Sequence, residues 1–454
     1  MKTESRNIIQ SYIARIKPEE IILLSFAATI VLGTILLWLP LSHFGNIGFL
    51  DALFTATSAV CVTGLIVVDT GSAFTVFGQC IILLLIEIGG LGVMTFAALA
   101  FDLLGRRLSL SGQEAMTRDL VYEEISHSFL AYFRRMVQLV LAIEAAGAAA
   151  LFVGLLQVHS IGYAAFSAVF HSVSAFCNAG FSLYPDSLIG VKDNFLAIHT
   201  VAALIIIGGI GYPVLFDLVN IIRTYRVEKK PIWNRLSVHS RIVLLMSFLL
   251  LTAGTVLLML TNLSQGNLDL STAFFQSVTA RTAGFNTVDM NRLTLAALLV
   301  IMILMFIGGS PGSAAGGVKT TTVALWIKQL WSRLKGKNQV VLQDRYIPEP
   351  LVRRASTIIS ISILWNIAGV FILSITENGG SNIMLQDLIF EQISAFATVG
   401  LSTGITDKLS PLGKLWIIAS MYVGRTGPLT SVLLLSLRKK PADIKFPEAK
   451  VMIG

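Results

Sequence analysis

Eight apolar runs constrain this chain more than anything else in it: near residues 21 to 41, 76 to 101, 136 to 156, 195 to 222, 242 to 262, 293 to 330, 355 to 375 and 411 to 437. Each is at least about as long as the 20 or so residues a helix needs to cross the ~30 Å hydrocarbon core of a bilayer. In lipid every backbone N–H and C=O must be satisfied internally, so such runs dictate helices. Of the 454 residues, 54% are apolar and only 13% charged, against roughly 25% charged in a soluble domain. Those figures exclude a soluble globular protein, a disordered chain, collagen and a coiled coil. The first run is too long for a signal-peptide apolar region and has no A-x-A cleavage site, so it reads as a retained span.

The basic residues set the orientation. The N-terminus carries 4, the three even-to-odd connections 5 (Arg106, Arg107, Arg118, Arg134, Arg135), 6 (Arg223 to Arg241) and 7 (Lys328 to Arg354), and the C-terminus 5. The four odd-to-even connections share 5 basic residues (Lys192, Arg281, Arg292, Lys408, Lys414) and 10 acidic ones, among them Asp69, Asp186, Asp289 and Asp407. The basic face is therefore expected in the cytoplasm, with both termini, and the outer face should attract cations. Placed this way, the net charge of +8 points to a membrane and not to nucleic acid. Cys61, Cys80 and Cys177 are too few and too badly spaced for a disulfide framework or a zinc site.

Each odd-to-even connection contains a short, half-polar stretch ending in Gly, too short to cross a bilayer as helix and loop. Aligned on that Gly, the stretches read SAVCVTGL at 58 to 65, SAFCNAGF at 174 to 181, VTARTAGF at 278 to 285 and SAFATVGL at 394 to 401. Ten residues before Gly64, Gly180, Gly284 and Gly400 stand Phe54, Phe170, Phe274 and Phe390. A second Gly-rich point follows 24 to 28 residues later: Gly89-Gly90-Leu91-Gly92, Gly208-Gly209-Ile210-Gly211, Gly308-Gly309-Ser310-Pro311 and Gly424-Arg425-Thr426-Gly427. The unit is span, short helix, Gly-ended loop, span, occurring four times.

Non-helical backbone at membrane depth persists only where protein or a water-filled path satisfies it. Four such loops on one axis would form a ring of carbonyl oxygens able to replace the hydration shell of a cation. Glycine lets carbonyls turn inward without a Cβ clash, and each short helix would aim its negative dipole end at the ion. Small residues in membrane helices also serve close packing, and for the second Gly-rich points that reading stands beside the functional one.

On these motifs the chain resembles the Ktr/Trk/HKT potassium uptake family, closest to its KtrB-type membrane subunit, over roughly residues 20 to 437. The resemblance implies an all-α polytopic membrane protein with eight transmembrane helices and four re-entrant pore loops in a fourfold pseudo-symmetric arrangement. It implies Gly64, Gly180, Gly284 and Gly400 as filter glycines. Val62-Thr63, Asn178-Ala179, Thr282-Ala283 and Thr398-Val399 would supply neighbouring carbonyls for K+. Only Thr398-Val399-Gly400 keeps the Thr-Val-Gly of a channel filter and none has Gly-Tyr-Gly, which implies fewer well-formed ion sites and weaker selectivity. Gly64, where plant relatives that carry sodium have Ser, favours potassium.

The sixth run is interrupted by GGSPGSAAGGVKTTT, residues 308 to 322. Gly308, Gly309, Gly312, Gly316, Gly317 and Pro311 would cost a straight helix about 8 kcal/mol, so a loop inside the membrane is expected, with a Pro-kinked helix as the alternative. The segment fails as a phosphate-binding loop, since Val318 separates the second Gly from Lys319 and no strand precedes it. In the resembling family this loop closes the pore beneath the filter. Lys319 either adds a barrier of roughly 3 kcal/mol to a cation ~6 Å away or snorkels to the interface. Arg425, in the last run, costs about 2.5 to 3.5 kcal/mol on insertion scales and should face a cavity or a partner. The resemblance makes it a pore-lining contact of the loop; pairing with Glu87 or Glu144 is the alternative.

The expected organisation is a cytoplasmic N-terminus (1–20), repeat 1 (21–105), repeat 2 (106–225), repeat 3 (226–337) containing the gate loop 308–322, repeat 4 (338–437) and a cytoplasmic C-terminus (438–454). None of His43, His127, His159, His171, His199 and His239 forms a metal-binding pair, and H-E-x-x-H is absent, so no enzyme is expected. A cation-coupled secondary transporter with broken helices is the rival, though such proteins commonly show two repeats. No cofactor is expected beyond transported K+ and Na+ as an activating or coupled ion. The resemblance implies a homodimer, with Val451-Met452-Ile453-Gly454 at its interface, on a cytoplasmic KtrA-type ring that binds adenine nucleotides.

Overall fold

The computed structural model describes residues 18–92, 129–224, 231–262, 268–337, 339–378 and 383–427. The N-terminal 1–17, Arg106, Arg107 and Arg118, the far ends of repeats 1 and 4, and the tail with its expected dimer contact lie outside the described residues. The chain is mostly helical, and one order recurs. Repeat 1 comprises α1 (Pro18–Trp38), α2 (Phe49–Val60) and α3 (Val76–Leu91). Repeat 2 comprises α4 (Phe129–Leu155), α5 (Ile161–Phe176), α6 (Phe195–Ile210) and α7 (Tyr212–Thr224). Repeat 3 has α8 (Val238–Thr261), α9 (Leu270–Thr279), α10 (Leu295–Phe306) and α11 (Thr320–Leu334); repeat 4 has α12 (Glu349–Thr376), α13 (Leu385–Ala397) and α14 (Pro411–Thr426).

A shared cap opens the long helix after each Gly-ended loop. Thr75, Asn194, Thr294 and Ser410 accept a hydrogen bond from the N–H three residues on, Gly78, Ala197, Ala297 and Gly413, at 3.2, 3.1, 3.1 and 3.1 Å. Each satisfies a donor that the first helical turn leaves free.

These second helices end sooner than their apolar runs. Glycines with left-handed φ, Gly92 (+86°), Gly211 (+89°) and Gly427 (+92°), cap α3, α6 and α14. All three helices have 16 residues, about 24 Å at 1.5 Å per residue, short of the hydrocarbon core. The continuous span expected over 195 to 222 is therefore corrected: α6 and α7 meet at 101° across Gly211. Of the run 76 to 101, residues 93–101 lie outside the described residues. Among the described residues, Phe133–Leu155, Val238–Thr261 and Glu349–Thr376 are by themselves long and apolar enough to cross a membrane, and the bent α6–α7 pair makes a fourth.

Close packing explains three of the second Gly-rich points. A Cβ on Gly89, Gly208 or Gly424 would collide with the carbonyl oxygen of Val60, Phe176 or Phe396. Each of those residues stands four before its repeat's loop glycine, so the same contact seats each second helix against the end of its short helix. Phe54, Phe170 and Phe390 are buried; in repeat 3 Phe274 is half-buried and Phe275 takes the interior place.

One element departs from an all-helical reading. Val340–Leu342 pairs antiparallel with Arg345–Ile347 through a two-residue turn at Gln343 (φ +48°) and Asp344 (φ +60°), the turn geometry that matches strand twist. Repeat 4 closes back on repeat 1 through Lys414 Nζ to Asp51 Oδ1 at 3.1 Å and through the Tyr422 hydroxyl, which donates to the Leu23 carbonyl at 2.7 Å.

Candidate functional site

The four loop glycines touch one another in cyclic order. A Cβ built on Gly64 would lie 3.0 Å from Gly180 Cα, one on Gly180 3.0 Å from Gly284 Cα, one on Gly284 3.2 Å from Gly400 Cα, and one on Gly400 3.0 Å from Gly64 Cα. The same Cβ atoms would strike the carbonyl oxygens of Ala179, Ala283, Val399 and Thr63, each from the residue before the next glycine. A ring of four closes. The glycines hold φ of +89°, +70°, +80° and +93°, and two residues earlier Val62, Asn178, Thr282 and Thr398 hold +56°, +58°, +71° and +51°. Those two positions are left-handed in every repeat while Thr63, Ala179, Ala283 and Val399 between them are not. Alternating handedness turns successive carbonyls to the same side of the chain. At Asn178, Thr282, Thr398 and above all β-branched Val62 such a conformation is held only by its surroundings.

The short helices provide those surroundings. Thr63, Ala179 and Val399 donate their N–H to the carbonyls of Ser58, Ser174 and Ser394 at 2.8, 2.7 and 2.8 Å, and Ala283 donates to Thr279 at 2.9 Å. Gly64 and Gly400 donate to Ser58 Oγ and Ser394 Oγ at 3.0 and 3.1 Å, while Ser174 Oγ donates to the Phe181 carbonyl at 2.8 Å. Repeat 3 has Val278 at that position. Donors are thus consumed behind the ring. Among the described residues the carbonyls of Thr63, Ala179, Ala283 and Val399 accept no hydrogen bond. Just below, Asn178 Oδ1, Thr282 Oγ1 and Thr398 Oγ1 are buried without a partner. Repeat 1 carries the apolar Val62 at the corresponding position.

The interrupted sixth run lies under this ring. Its ends are clasped by a parallel bridge between Ile307 and Val318, with Gly308 N–H donating to Val318 at 3.0 Å and Thr320 N–H to the Gly309 carbonyl at 3.1 Å. Ser310 N–H donates to the Gly209 carbonyl at 3.0 Å, and Tyr212 N–H to Gly312 at 2.9 Å, tying the loop to the break in repeat 2. A Cβ on Gly316 would overlap Thr398 Oγ1, so the loop abuts the ring itself. Gly312 (+70°) and Gly317 (+67°) supply its left-handed turns. Lys319 Nζ curls back to donate to the Ala315 carbonyl at 2.7 Å. Arg425 donates to the carbonyls of both Ala314 and Gly89, and among the described residues it forms no ion pair with Glu87 or Glu144. A kinked helix does not describe 308 to 322.

Across residues 14–443 the chain matches the TrkH family model, described as a cation transport protein. It is 39% identical to Ktr system potassium uptake protein B of Vibrio alginolyticus over 96% of this chain and 94% of that protein. The chain belongs to the TrkH cation transport family. It is also 37% identical to the potassium/sodium uptake protein NtpJ of Enterococcus hirae, over 97% and 98% of the two chains, and 36% identical to Ktr system potassium uptake protein B of Bacillus subtilis, over 97% of each. Its fold resembles the crystal structure of the potassium transporter TrkH from Vibrio parahaemolyticus, with TM-score 0.71 at 20% identity over 92% of this chain and 84% of that one.

Within this TrkH-family chain, all twelve ring positions and all seven positions of loop and arginine come together. Sequence reasoning missed Ser58, Ser174 and Ser394, although each opens the motif that was aligned, because a buried Ser alone does not announce what it holds. Glu87, Glu144 and Cys177 form a separate group behind repeat 2, with Cys177 Sγ 3.6 Å from Glu87 Oε2 and 3.9 Å from Glu144 Oε1.

Proposed function

We propose that this chain is a potassium uptake protein of the cell membrane, in which the four glycine loops form a channel-like filter and residues 308–322 its gate. One observation carries the reading: the cyclic ring of Gly64, Gly180, Gly284 and Gly400, whose preceding carbonyls accept no hydrogen bond among the described residues. Such oxygens are preorganised to replace water around a dehydrated alkali ion. Thr63, Ala179, Ala283 and Val399 supply the main oxygen layer; Asn178, Thr282 and Thr398 with Val62 supply the layer below. The fourfold arrangement of eight spans and four pore loops, divided at the repeat boundaries given above, is part of this reading. So are cytoplasmic termini, inward movement driven by membrane potential, and Na+ as an activating or coupled ion.

The Vibrio and Bacillus relatives are each named as protein B of a Ktr system, which supports work with a regulatory partner; a homodimer on a cytoplasmic nucleotide-binding ring of KtrA type is the form this reading gives that partnership. The broken α6 and α10 give the secondary-transporter reading its one foothold, but a closed ring of four loops favours a pore. Growth rescue tests the proposal: expression in a strain lacking potassium uptake should restore growth at low potassium, more strongly with the regulatory partner. Rubidium influx into proteoliposomes should follow the imposed voltage without needing a sodium gradient. Uptake with a strict requirement for that gradient would favour the transporter.

A further inference from the structure

Nine residues before each ring glycine, the short helices carry Thr55, His171, Phe275 and Glu391; two residues after it stand Ile66, Ser182, Asn286 and Ser402. In repeats 2 and 4 these two positions bond to each other. Glu391 is fully buried and accepts hydrogen bonds from Ser402 Oγ at 2.7 Å and Thr406 Oγ1 at 2.6 Å. His171, 2% exposed, has Nδ1 2.8 Å from the Ser167 carbonyl and Nε2 3.0 Å from Ser182 Oγ. A carbonyl can only accept, so Nδ1 carries the proton, and the one Ser182 hydroxyl proton is shared between Nε2 and the Ser187 carbonyl.

Repeat 1 lacks the clasp: Thr55 turns its hydroxyl to the Asp51 carbonyl of its own helix at 2.8 Å. In repeat 3, shifted by one residue, Phe275 stands at the aligned position and the neutral Gln276 Nε2 donates to Thr287 Oγ1 at 3.1 Å. The cyclic order places repeats 2 and 4 opposite each other across the ring, so the two clasps built on a titratable side chain face one another. Their reach differs too. Ser182 Oγ lies 3.2 Å from the Ser187 carbonyl, and Ser187 Oγ accepts the N–H of Asn286 at 3.2 Å, so repeat 2 also holds the outgoing chain of repeat 3.

In repeat 4 the ring segment is fixed at both ends: Gly400 N–H on Ser394 Oγ inside, Ser402 on Glu391 outside. A glycine has no side chain to limit its backbone, so the direction of its flanking carbonyls depends on such anchors. We propose that Glu391 and His171 are positioning residues that stiffen two opposite filter strands and thereby set how well the ring discriminates potassium from sodium. This rests on the reading of the ring as a potassium filter.

The experiment uses the full chain in proteoliposomes and reads the potassium-to-sodium preference of rubidium uptake. Ser402→Ala and Glu391→Gln should each lower that preference about fivefold, the weight of one hydrogen bond. Ser402→Thr, which keeps the hydroxyl, should restore it, and the double variant should be no worse than either single one. Lys414→Met, which breaks a remote inter-repeat contact, should leave the preference alone, separating filter geometry from general stability. If Glu391→Gln fails to reach the membrane, the Ala and Thr variants of Ser402 decide the matter. Folded Ser402 variants with unaltered preference, beside a wild-type protein that does select potassium, overturn the proposal alone. A wild-type protein with no potassium uptake overturns the filter reading and this proposal with it.

Discussion

The Arg425 guanidinium donates a hydrogen bond to the Ala314 carbonyl, joining the last helix of repeat 4 to the loop that interrupts repeat 3. A second bond to Gly89 extends the clasp to repeat 1. In the proposed pore, a guanidinium held by two carbonyls would place positive charge beneath the ring, opposing cations there while holding the loop in place. Replacing it with Gln removes the charge and one arm of the clasp. Arg425→Gln should raise rubidium influx several-fold at unchanged protein abundance; a lower or unchanged flux would assign Arg425 to architecture alone.

The ring glycines make the sharpest mutational case. Gly64 holds φ at +89°, and a Cβ there would press on the Ala179 carbonyl, one of the four facing oxygens. A side chain costs strain of order 1–3 kcal/mol and turns that carbonyl away. Gly64→Ser should therefore cut the potassium-to-sodium ratio by about tenfold, equivalent to ~1.4 kcal/mol. Equal ratios in the variant and wild-type protein would remove Gly64 from the filter.

How much of this was legible beforehand depends on whether the signal was local. Gly64, Gly180, Gly284 and Gly400 were legible because a left-handed position that approaches another backbone admits only glycine, and the requirement recurs four times in register. The breaks at Gly92 and Gly211 were not, since an apolar run hides a helix end when the capping glycine is flanked by Leu91, Val93, Ile210 and Tyr212. Arg425 was legible as needing a partner, but a long side chain leaves the partner open, and Ala314 lies 111 residues away. The clasp of Glu391 on Ser402 escaped for the same reason: 11 residues separate them, a spacing set by the turn through the ring and by no periodic element.

Deletion tests the loop directly. The bridge between Ile307 and Val318 already brings its ends together, so excising Gly312 to Gly317 leaves a short connection across a formed pair. The excision removes the Tyr212 bond to Gly312, the Ala314 partner of Arg425 and the Gly316 contact with Thr398. Potassium flux should rise and lose its dependence on the regulatory partner. A folded deletion protein that takes up rubidium at the wild-type rate would dismiss the loop as a gate.

Away from the ring, repeats 4 and 1 are also joined by Lys414 and Asp51, whose side chains are 15% and 28% exposed and 3.1 Å apart. A pair this sheltered is worth more than a surface bridge, yet solvent still reaches Asp51, which limits the loss to roughly 1–2 kcal/mol. Removing one partner leaves the other charge beside an apolar interface, so Lys414→Met should lower the thermal unfolding midpoint in detergent by a few degrees. Asp51→Leu added to it should recover part of the loss, because the stranded carboxylate goes with it. Additive losses in that double variant would mean that the two charges act independently and that this pair does not join the repeats.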